Sequence, residues 1–545
     1  MLSRRKRYED VRDDFSWSIP ARYNIAADVC DRWADAEPGR LAILHVGSDG
    51  AKRNVSYGEL REAANRLASS FVARGLKRGD RVGVLLPQSP ETAIAHIATY
   101  KLGAIAVPLF TLFGPDALQF RLSNAGIAAV VTNAEGAAKL AALRDSLPDL
   151  RLVLCVDGAV HGAEDFHAAV ASGDPAFVTA DTAADDPAII IYTSGTTGNP
   201  KGALHAHRVL LGHLPGVEMS HGFLPEPGDR IWTPADWAWI GGLLDVLLPA
   251  LHHGIPVVSH RFAKFTGEAA FRLMRDTGVR NAFLPPTALK LMRTANAADP
   301  SLKVAMRSVA SGGETLGPEL LQWGRDTFGV DINEFYGQTE CNMIVSSCSV
   351  LMPPQPGIMG RPVPGHDVAV IDEEGERVPP GETGSIAVRA GDPVMFLGYW
   401  NNPAATEGKF RNGWLLTGDK GITEADGWIR FLGRDDDVIT SSGYRIGPGE
   451  IEDCLLRHPA VQMAGVVGKP DPERTEIVMA FIVLKPGQPA GKAVADDIAG
   501  FVKTQLAAHE YPREIEFVDE LPMTTTGKII RRELRQRAAA STAQR

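Results

Sequence analysis

The chain has 545 residues, 44% of them hydrophobic and 22% charged, and a formal net charge of −10. This length exceeds one core, so two or more domains are expected, and the composition is that of an ordinary globular protein. The acidic balance argues against a general nucleic-acid binder, and no apolar run is long enough to span a bilayer.

The opening stretch MLSRRKRYED is basic but has no apolar segment behind it, so it reads as a solvated tail rather than a signal or transit peptide. The five cysteines (Cys30, Cys155, Cys341, Cys348, Cys454) are scattered without metal-ligand spacing and read as reduced thiols of a cytoplasmic protein. From Tyr57 to Arg74, Leu60, Ala63, Ala64, Leu67 and Phe71 recur at helical steps. A buried strand is expected at Val82–Leu86, a helix at Glu91–Leu102 and a strand at Ala104–Leu109. Further strands are expected at Ala128–Thr132 and Leu152–Val156, with a helix over Ala134–Leu147 between them. The alternation continues through Ile189, Val257 and Ala282–Leu284 and predicts an α/β layered fold.

Behind the apolar run Ala188–Ile191 lies TSGTTGNPKG, Thr193 to Gly202, with four hydroxyls, three glycines and one lysine. Such a loop is either a plain polar turn or a cradle for a phosphate chain, built from backbone N–H groups, hydroxyls and an ammonium. It is not a Walker A loop, because Lys201 follows Pro200 and precedes Gly202. Between Ile231 and Gly254, Trp232, Trp237 and Trp239 lie close to Gly241 and Gly242. They fit either core or the wall of a cavity for an acyl group. SGGETL (Ser311–Leu316) and NEFYGQTE (Asn333–Glu340) are expected as turns at strand ends, where open α/β sheets bind ligands. Glu340 is either a solvated carboxylate or an oxygen ligand for Mg²⁺.

After about Pro353 short strands alternate with turns, including Val368–Ile371, Ser385–Arg389 and a hairpin at Asp426-Gly427, and predict an antiparallel β subdomain. GRDDDVITSSGYRIGPGEIE (Gly433–Glu452) reads as a boundary before a small α+β domain. The end, LPMTTTGKIIRREL, is a turn carrying Lys528 ahead of a basic helix.

The loop Thr193–Gly202, YGQTE, TGD, GRDDD, SSGYRIGP and the terminal TGK stand in one order between about Tyr23 and Leu534. In that order they resemble the AMP-forming acyl-CoA synthetases of the adenylate-forming superfamily. The wording of SSGYRIGPGEIE and YPREIEFVDELP resembles the medium-chain branch. The resemblance implies an N-terminal adenylate-forming domain over residues 1–433 and a mobile C-terminal domain over 434–545, hinged near Asp436. It implies a carboxylic acid, ATP, Mg²⁺ and coenzyme A as partners. It implies that Thr193, Ser194, Gly195, Thr196, Thr197 and Lys201 hold the β and γ phosphates, and that Glu340 and Thr193 handle Mg²⁺. Gly313, Glu314 and Tyr336 would frame the adenine, with Gly337, Gln338 and Thr339 completing that motif. Asp419 would take the ribose hydroxyls, and Arg434 would also reach the nucleotide. Lys528 would bridge the acyl carboxylate and the α-phosphate, and the loop Gly443–Arg445 would serve the thioester step.

By the same resemblance, acetate-specific members plug the acyl pocket with a bulky residue where this chain has Gly337. Gly241 and Gly312 are the neighbouring wall positions. Three glycines predict an open pocket for a medium-chain, branched or aromatic acid. Trp237 and Trp239 flank Ala238 where the family commonly has Gly, and an extra indole would either refill part of that space or stack on an aromatic substrate. Two alternatives stay open: an enzyme that loads a carrier protein, and an inactive nucleotide- or CoA-binding protein. The second is disfavoured because Lys528, Glu340 and Asp419 are all present.

Overall fold

A computed structural model of the chain describes residues 1–193, 200–313, 316–435, 437, 439–441, 444–471, 474–505, 511–524 and 527–542. The chain divides into two compact units. The first comprises Met1–Pro354, Gly360–Asp367 and Arg389–Phe410, and the second Gln355–Met359, Val368–Val388 and Arg411–Arg545.

The first unit holds two α/β sheets. One has eight strands in the order Gly398–Tyr399, Gly202–Ala206, Pro187–Tyr192, Ile105–Pro108, Arg81–Leu85, Ile127–Thr132, Leu152–Cys155, Glu164–Asp165. From Pro187–Tyr192 onward its neighbours are parallel, and the first three strands run antiparallel to one another. Parallel strands covered on both faces need apolar side chains throughout, which is why they read as unbroken runs. The helix Tyr57–Ala73 begins where Ser56 and Glu59 form a reciprocal capping box. It buries Leu60, Ala64, Leu67 and Phe71, and it stops before Gly75, whose φ of 83° lies in the left-handed region.

The other sheet has nine strands, with Lys52–Ser56, Leu41–Val46 and Val257–His260 at one side and Ser308–Gly312, Ile332–Gln338 and Cys341–Ser346 towards the other. Its interior is parallel and its edges are antiparallel. Two expectations are corrected here. NEFYGQTE is not a turn after a strand: Tyr336, Gly337 and Gln338 belong to the strand itself, and only Thr339 and Glu340 turn the chain into Cys341–Ser346. Likewise Ser311 and Gly312 finish their strand rather than follow it. The ladders with neighbouring strands extend these elements despite their glycines.

In the second unit, the strands Val368–Ile371, Thr383–Arg389, Trp414–Thr423 and Ile429–Arg434 belong to one antiparallel sheet. Asp426-Gly427 lies between the last two, and Gly427 has φ 84°. A second sheet orders Tyr444–Ile446, Ile439–Ser441, Thr475–Leu484 and Val461–Asp471, and Glu514–Phe517 joins Thr475–Leu484 in parallel. The helix Pro448–Leu456 covers this sheet through a core including Ile451, Cys454, Val466 and Ile482. Among the described residues no helix is long and apolar enough to cross a membrane.

Candidate active site

In the first unit, Tyr192 pairs with Gly202 across an antiparallel ribbon, and Thr193 and Lys201 are the next described residues along the two strands that the sequence motif Thr193–Gly202 joins. The Thr193 N–H donates to the Lys201 carbonyl at 2.9 Å. Ser194, Gly195, Thr196 and Thr197 lie outside the described residues. Lys201 is half-buried, with Nζ 5.2 Å from the centroid of the Tyr399 ring. The Tyr399 phenol donates to Glu340 Oε1. The Glu340 backbone carbonyl accepts from Phe396 N–H at 2.9 Å. One tyrosine therefore ties the loop's ammonium to the carboxylate after the YGQT strand. The sequence reading missed Tyr399. Its only local signal was the aromatic pair Tyr399-Trp400 between Gly398 and Asn401.

Glu340 is buried, at 6% exposure. Among the described residues its Oε1 is held by Tyr399 and nothing donates to its Oε2. No three potential His, Cys, Asp or Glu ligands cluster among the described residues. A single oriented carboxylate with a hydroxyl such as Thr193 fits Mg²⁺, which keeps several waters and draws its other ligands from substrate phosphates.

Gln338 Oε1 accepts from Lys409 Nζ at 3.2 Å. Gly313 is exposed at the end of its strand, and its φ of 104° is a conformation that favours glycine. Glu314 lies outside the described residues.

The three wall glycines do not face empty space. A Cβ on Gly241 would lie 2.9 Å from Phe283 Cε1, and one on Gly312 2.6 Å from Phe335 Cε2. On Gly337 it would lie 2.5 Å from both Cα and Oδ1 of Asn342. Each glycine thus lets a neighbour pack close to the backbone. Trp237 is fully buried within the main core, whereas Trp239 is half-buried and meets Phe110 and Phe113 edge-on or tilted at centroid distances of 5.5 and 6.3 Å.

In the second unit, Asp419 and Arg434 are register partners on adjacent antiparallel strands. Asp419 is buried, and its N–H donates to Thr417 Oγ1 at 3.2 Å. Lys528 is exposed and closes a turn: its N–H donates to Thr524 Oγ1 at 3.0 Å and its carbonyl accepts from Thr524 N–H at 2.7 Å. Gly527, with φ 83°, permits that turn. Arg445 sits on the strand Tyr444–Ile446 opposite Thr440. Gly443 and Asp436 lie outside the described residues.

Residues 30–400 match the AMP-binding enzyme family and residues 450–528 the AMP-binding enzyme C-terminal domain. The chain is 34% identical to acetyl-coenzyme A synthetase of Bacillus subtilis (strain 168), over 97% of this chain and 95% of that protein. It is also 34% identical to the mitochondrial acyl-coenzyme A synthetase ACSM2 of Rattus norvegicus, over 95% and 92%. Among solved structures, it is similar to an acyl-CoA synthetase of Brucella canis, with 35% identity, a TM-score of 0.75 and coverage of 98% and 100%. The anthranilate CoA ligase AuaEII in complex with anthranoyl-AMP gives 30% identity, a TM-score of 0.86 and coverage of 96% and 99%. With both parts of the family matched along nearly its whole length, the chain belongs to the AMP-binding enzymes, among the acyl-CoA synthetases of the adenylate-forming superfamily.

Proposed function

We propose that the chain activates a medium-chain, branched or aromatic carboxylic acid, and that it works in the cytoplasm. The acid's carboxylate attacks the α-phosphate of ATP and pyrophosphate leaves, giving acyl-AMP. The thiol of coenzyme A then attacks the acyl carbonyl, and AMP leaves with the electrons of the acyl–oxygen bond. Attack of one anion on another demands charge neutralisation and tight placement.

The loop Thr193–Lys201 holds the leaving pyrophosphate, with Lys201 as its point charge. Gly313, Glu314 and Tyr336 flank the adenine, Asp419 accepts from the ribose hydroxyls, and Arg434 reaches the nucleotide. Lys528 carries the positive charge that draws the acyl carboxylate to the α-phosphate, a task suited to a compact ammonium on a flexible stem. When bound, Mg²⁺ supplies further neutralisation of phosphate charge, and Glu340 with Thr193 are the residues to hold it. Residues 434–545 turn about Asp436 between the half-reactions, and Gly443–Arg445 serve the second.

The observation that carries this reading is that Lys528, Glu340 and Asp419 are all retained in a chain matching both parts of the family. The aromatic option is supported by the half-buried Trp239 with Phe110 and Phe113, and by the similarity to the anthranilate CoA ligase AuaEII. The deciding experiment measures CoA- and ATP-dependent AMP release over acetate to decanoate plus benzoate. Turnover of acetate alone overturns the substrate reading. Absence of CoA-dependent turnover on every acid, with acyl-AMP still formed, points to carrier-protein loading. In Lys528→Ala, adenylation should collapse while thioester formation from supplied acyl-AMP survives; equal loss of both refutes the role given to Lys528.

A further inference from the structure

Asn342 and Asp245 form a polar pair in the interior of the first unit. Both are buried, at 4% and 2% exposure. Asn342 Nδ2 donates to Asp245 Oδ1 at 2.8 Å and Oδ2 at 3.0 Å. That contact fixes the amide's orientation and leaves Oδ1 as an acceptor, with no donor to it among the described residues. The same Oδ1 occupies the space that a side chain on Gly337 would need, 2.5 Å from the position of its Cβ. Asp245 Oδ2 lies 3.5 Å from where a Cβ on Gly241 would stand. The pair therefore touches both positions read above as walls of the acyl pocket.

One further observation marks this pair as more than filling. The next residue, Met343, has φ 57°, in the left-handed region that β strands avoid. Such strain persists where surroundings impose it and collects at functional sites.

The other group facing Asp245 is His213. Its Nε2 is 3.9 Å from Asp245 Oδ1, and its Nδ1 pairs with the Val209 carbonyl at 2.7 Å, which leaves Nε2 without a proton. Burial pushes the Asp245 carboxyl well above its usual range, partly offset by the Asn342 bond, and lowers His213 to about 4. Burial disfavours the charged form of both groups, so the site favours a neutral donor over an ammonium ion.

We infer that Asn342 is a specificity-determining residue whose Oδ1 accepts a hydrogen bond from a hydroxyl or uncharged amino group on the acyl part of the acid, with Asp245 as the positioning residue that holds the amide. The preferred substrate class is thus a hydroxy- or arylamino-substituted carboxylic acid. This rests on the reading of Gly241 and Gly337 as acyl-pocket walls. A site built to hydrogen-bond a substrate group rejects the analogue lacking it far more strongly than an apolar pocket rejects an added group.

The test compares kcat/KM for benzoate with the hydroxybenzoates and aminobenzoates, and for hexanoate with 6-hydroxyhexanoate. In the unaltered enzyme the best donor-bearing acid should exceed its parent by roughly tenfold or more. Asn342→Leu should abolish that ratio, and Asp245→Asn, which keeps the shape but leaves the Asn342 amide one acceptor instead of two, should reduce it mainly through KM. Turnover in which the parent acids are preferred in every pair overturns the inference alone, as does a ratio that survives Asn342→Leu. If Asn342→Leu does not fold, the wild-type ratio and Asp245→Asn decide. No turnover on any acid overturns the ligase reading together with this one.

Discussion

The phenol of Tyr399 donates to Glu340 Oε1 while the face of the same ring lies under the Lys201 ammonium, 5.2 Å from the centroid. The hydroxyl aims a carboxylate whose other oxygen is left for a metal or water, and the ring steadies the lysine through a cation–π contact. If Glu340 holds Mg²⁺ as proposed, removing such a partner should change affinity or activity by about 10–100-fold. Tyr399→Phe keeps the ring and removes only the hydroxyl. It should lower the adenylation rate by about tenfold or more and raise the Mg²⁺ concentration needed for half-maximal rate. Thioester formation from supplied acyl-AMP should stay near wild type. Tyr399→Leu removes both contacts and should fall further. An unchanged Mg²⁺ dependence in Tyr399→Phe would show that the phenol does not position Glu340.

A side chain at Gly337 has no room. Its Cβ would come within 2.5 Å of Asn342 Cα and 2.6 Å of Met343 N, both backbone atoms that cannot swing away. Even Gly337→Ala should therefore destabilise the first unit, by roughly 1–3 kcal/mol as for other overpacked sites, read as a lower urea midpoint. Gly337→Trp should fail to fold rather than yield an acetate-selective enzyme. Recovery of a stable, acetate-selective Gly337→Trp protein would show that the Asn342 segment can retreat.

That outcome also shows where the sequence ceases to be legible. The helix Tyr57–Ala73 was readable because Ser56, Glu59 and its apolar spacing are local signals, and the central parallel strands because continuous burial leaves unbroken apolar runs. The helix Val209–Ser220 was not readable, since every residue in it is buried and Pro215 lies inside, so it shows no amphipathic period. A glycine in a sequence states only that a side chain is missing. Whether the gap is open or filled depends on residues such as Phe283, Phe335 and Asn342, brought in by neighbouring elements. Tyr399 escaped for a related reason, because its partner Glu340 is 59 positions away.

Arg307 and Asp229 form a bidentate pair, Nε to Oδ1 and Nη2 to Oδ2 both at 2.7 Å, with the Asp229 side chain fully buried. Removing one member strands a charge in the interior, at a cost of about 3–5 kcal/mol. Asp229→Leu should thus sharply lower the urea midpoint. The double variant Asp229→Leu with Arg307→Met should recover much of that loss, because apolar replacement of both members is often neutral. A double variant no better than Asp229→Leu would show that the neighbours of the pair, including the Gly222 carbonyl bonded to Arg307 at 3.2 Å, cannot tolerate an apolar pair.

Buried histidines set an acid limit on stability. Burial lowers His96, His205 and His221 to about 3, and His207 and His213 to about 4. All five stay neutral in the fold, whereas in the unfolded chain they take up protons below about 6.5. The unfolded state then binds more protons, so stability falls as pH drops from about 6.5 towards 3–4 and is unaffected by these groups above that window. Asp236, raised to about 6 by burial, acts in the opposite sense between its ordinary value and 6, because there the fold holds the proton. A single-site comparison separates these contributions. His96 bonds only Tyr100 Oη, at 3.0 Å, and its Nε2 has no partner among the described residues. His96→Gln keeps a hydrogen-bonding group there but cannot titrate. The variant should be less stable than wild type at pH 7.5. The gap should narrow by about 1.4 kcal/mol per pH unit on going from pH 6 to pH 4, as wild type alone loses this contribution. A gap that stays constant across that range in urea titrations would mean that His96 is already protonated in the folded protein.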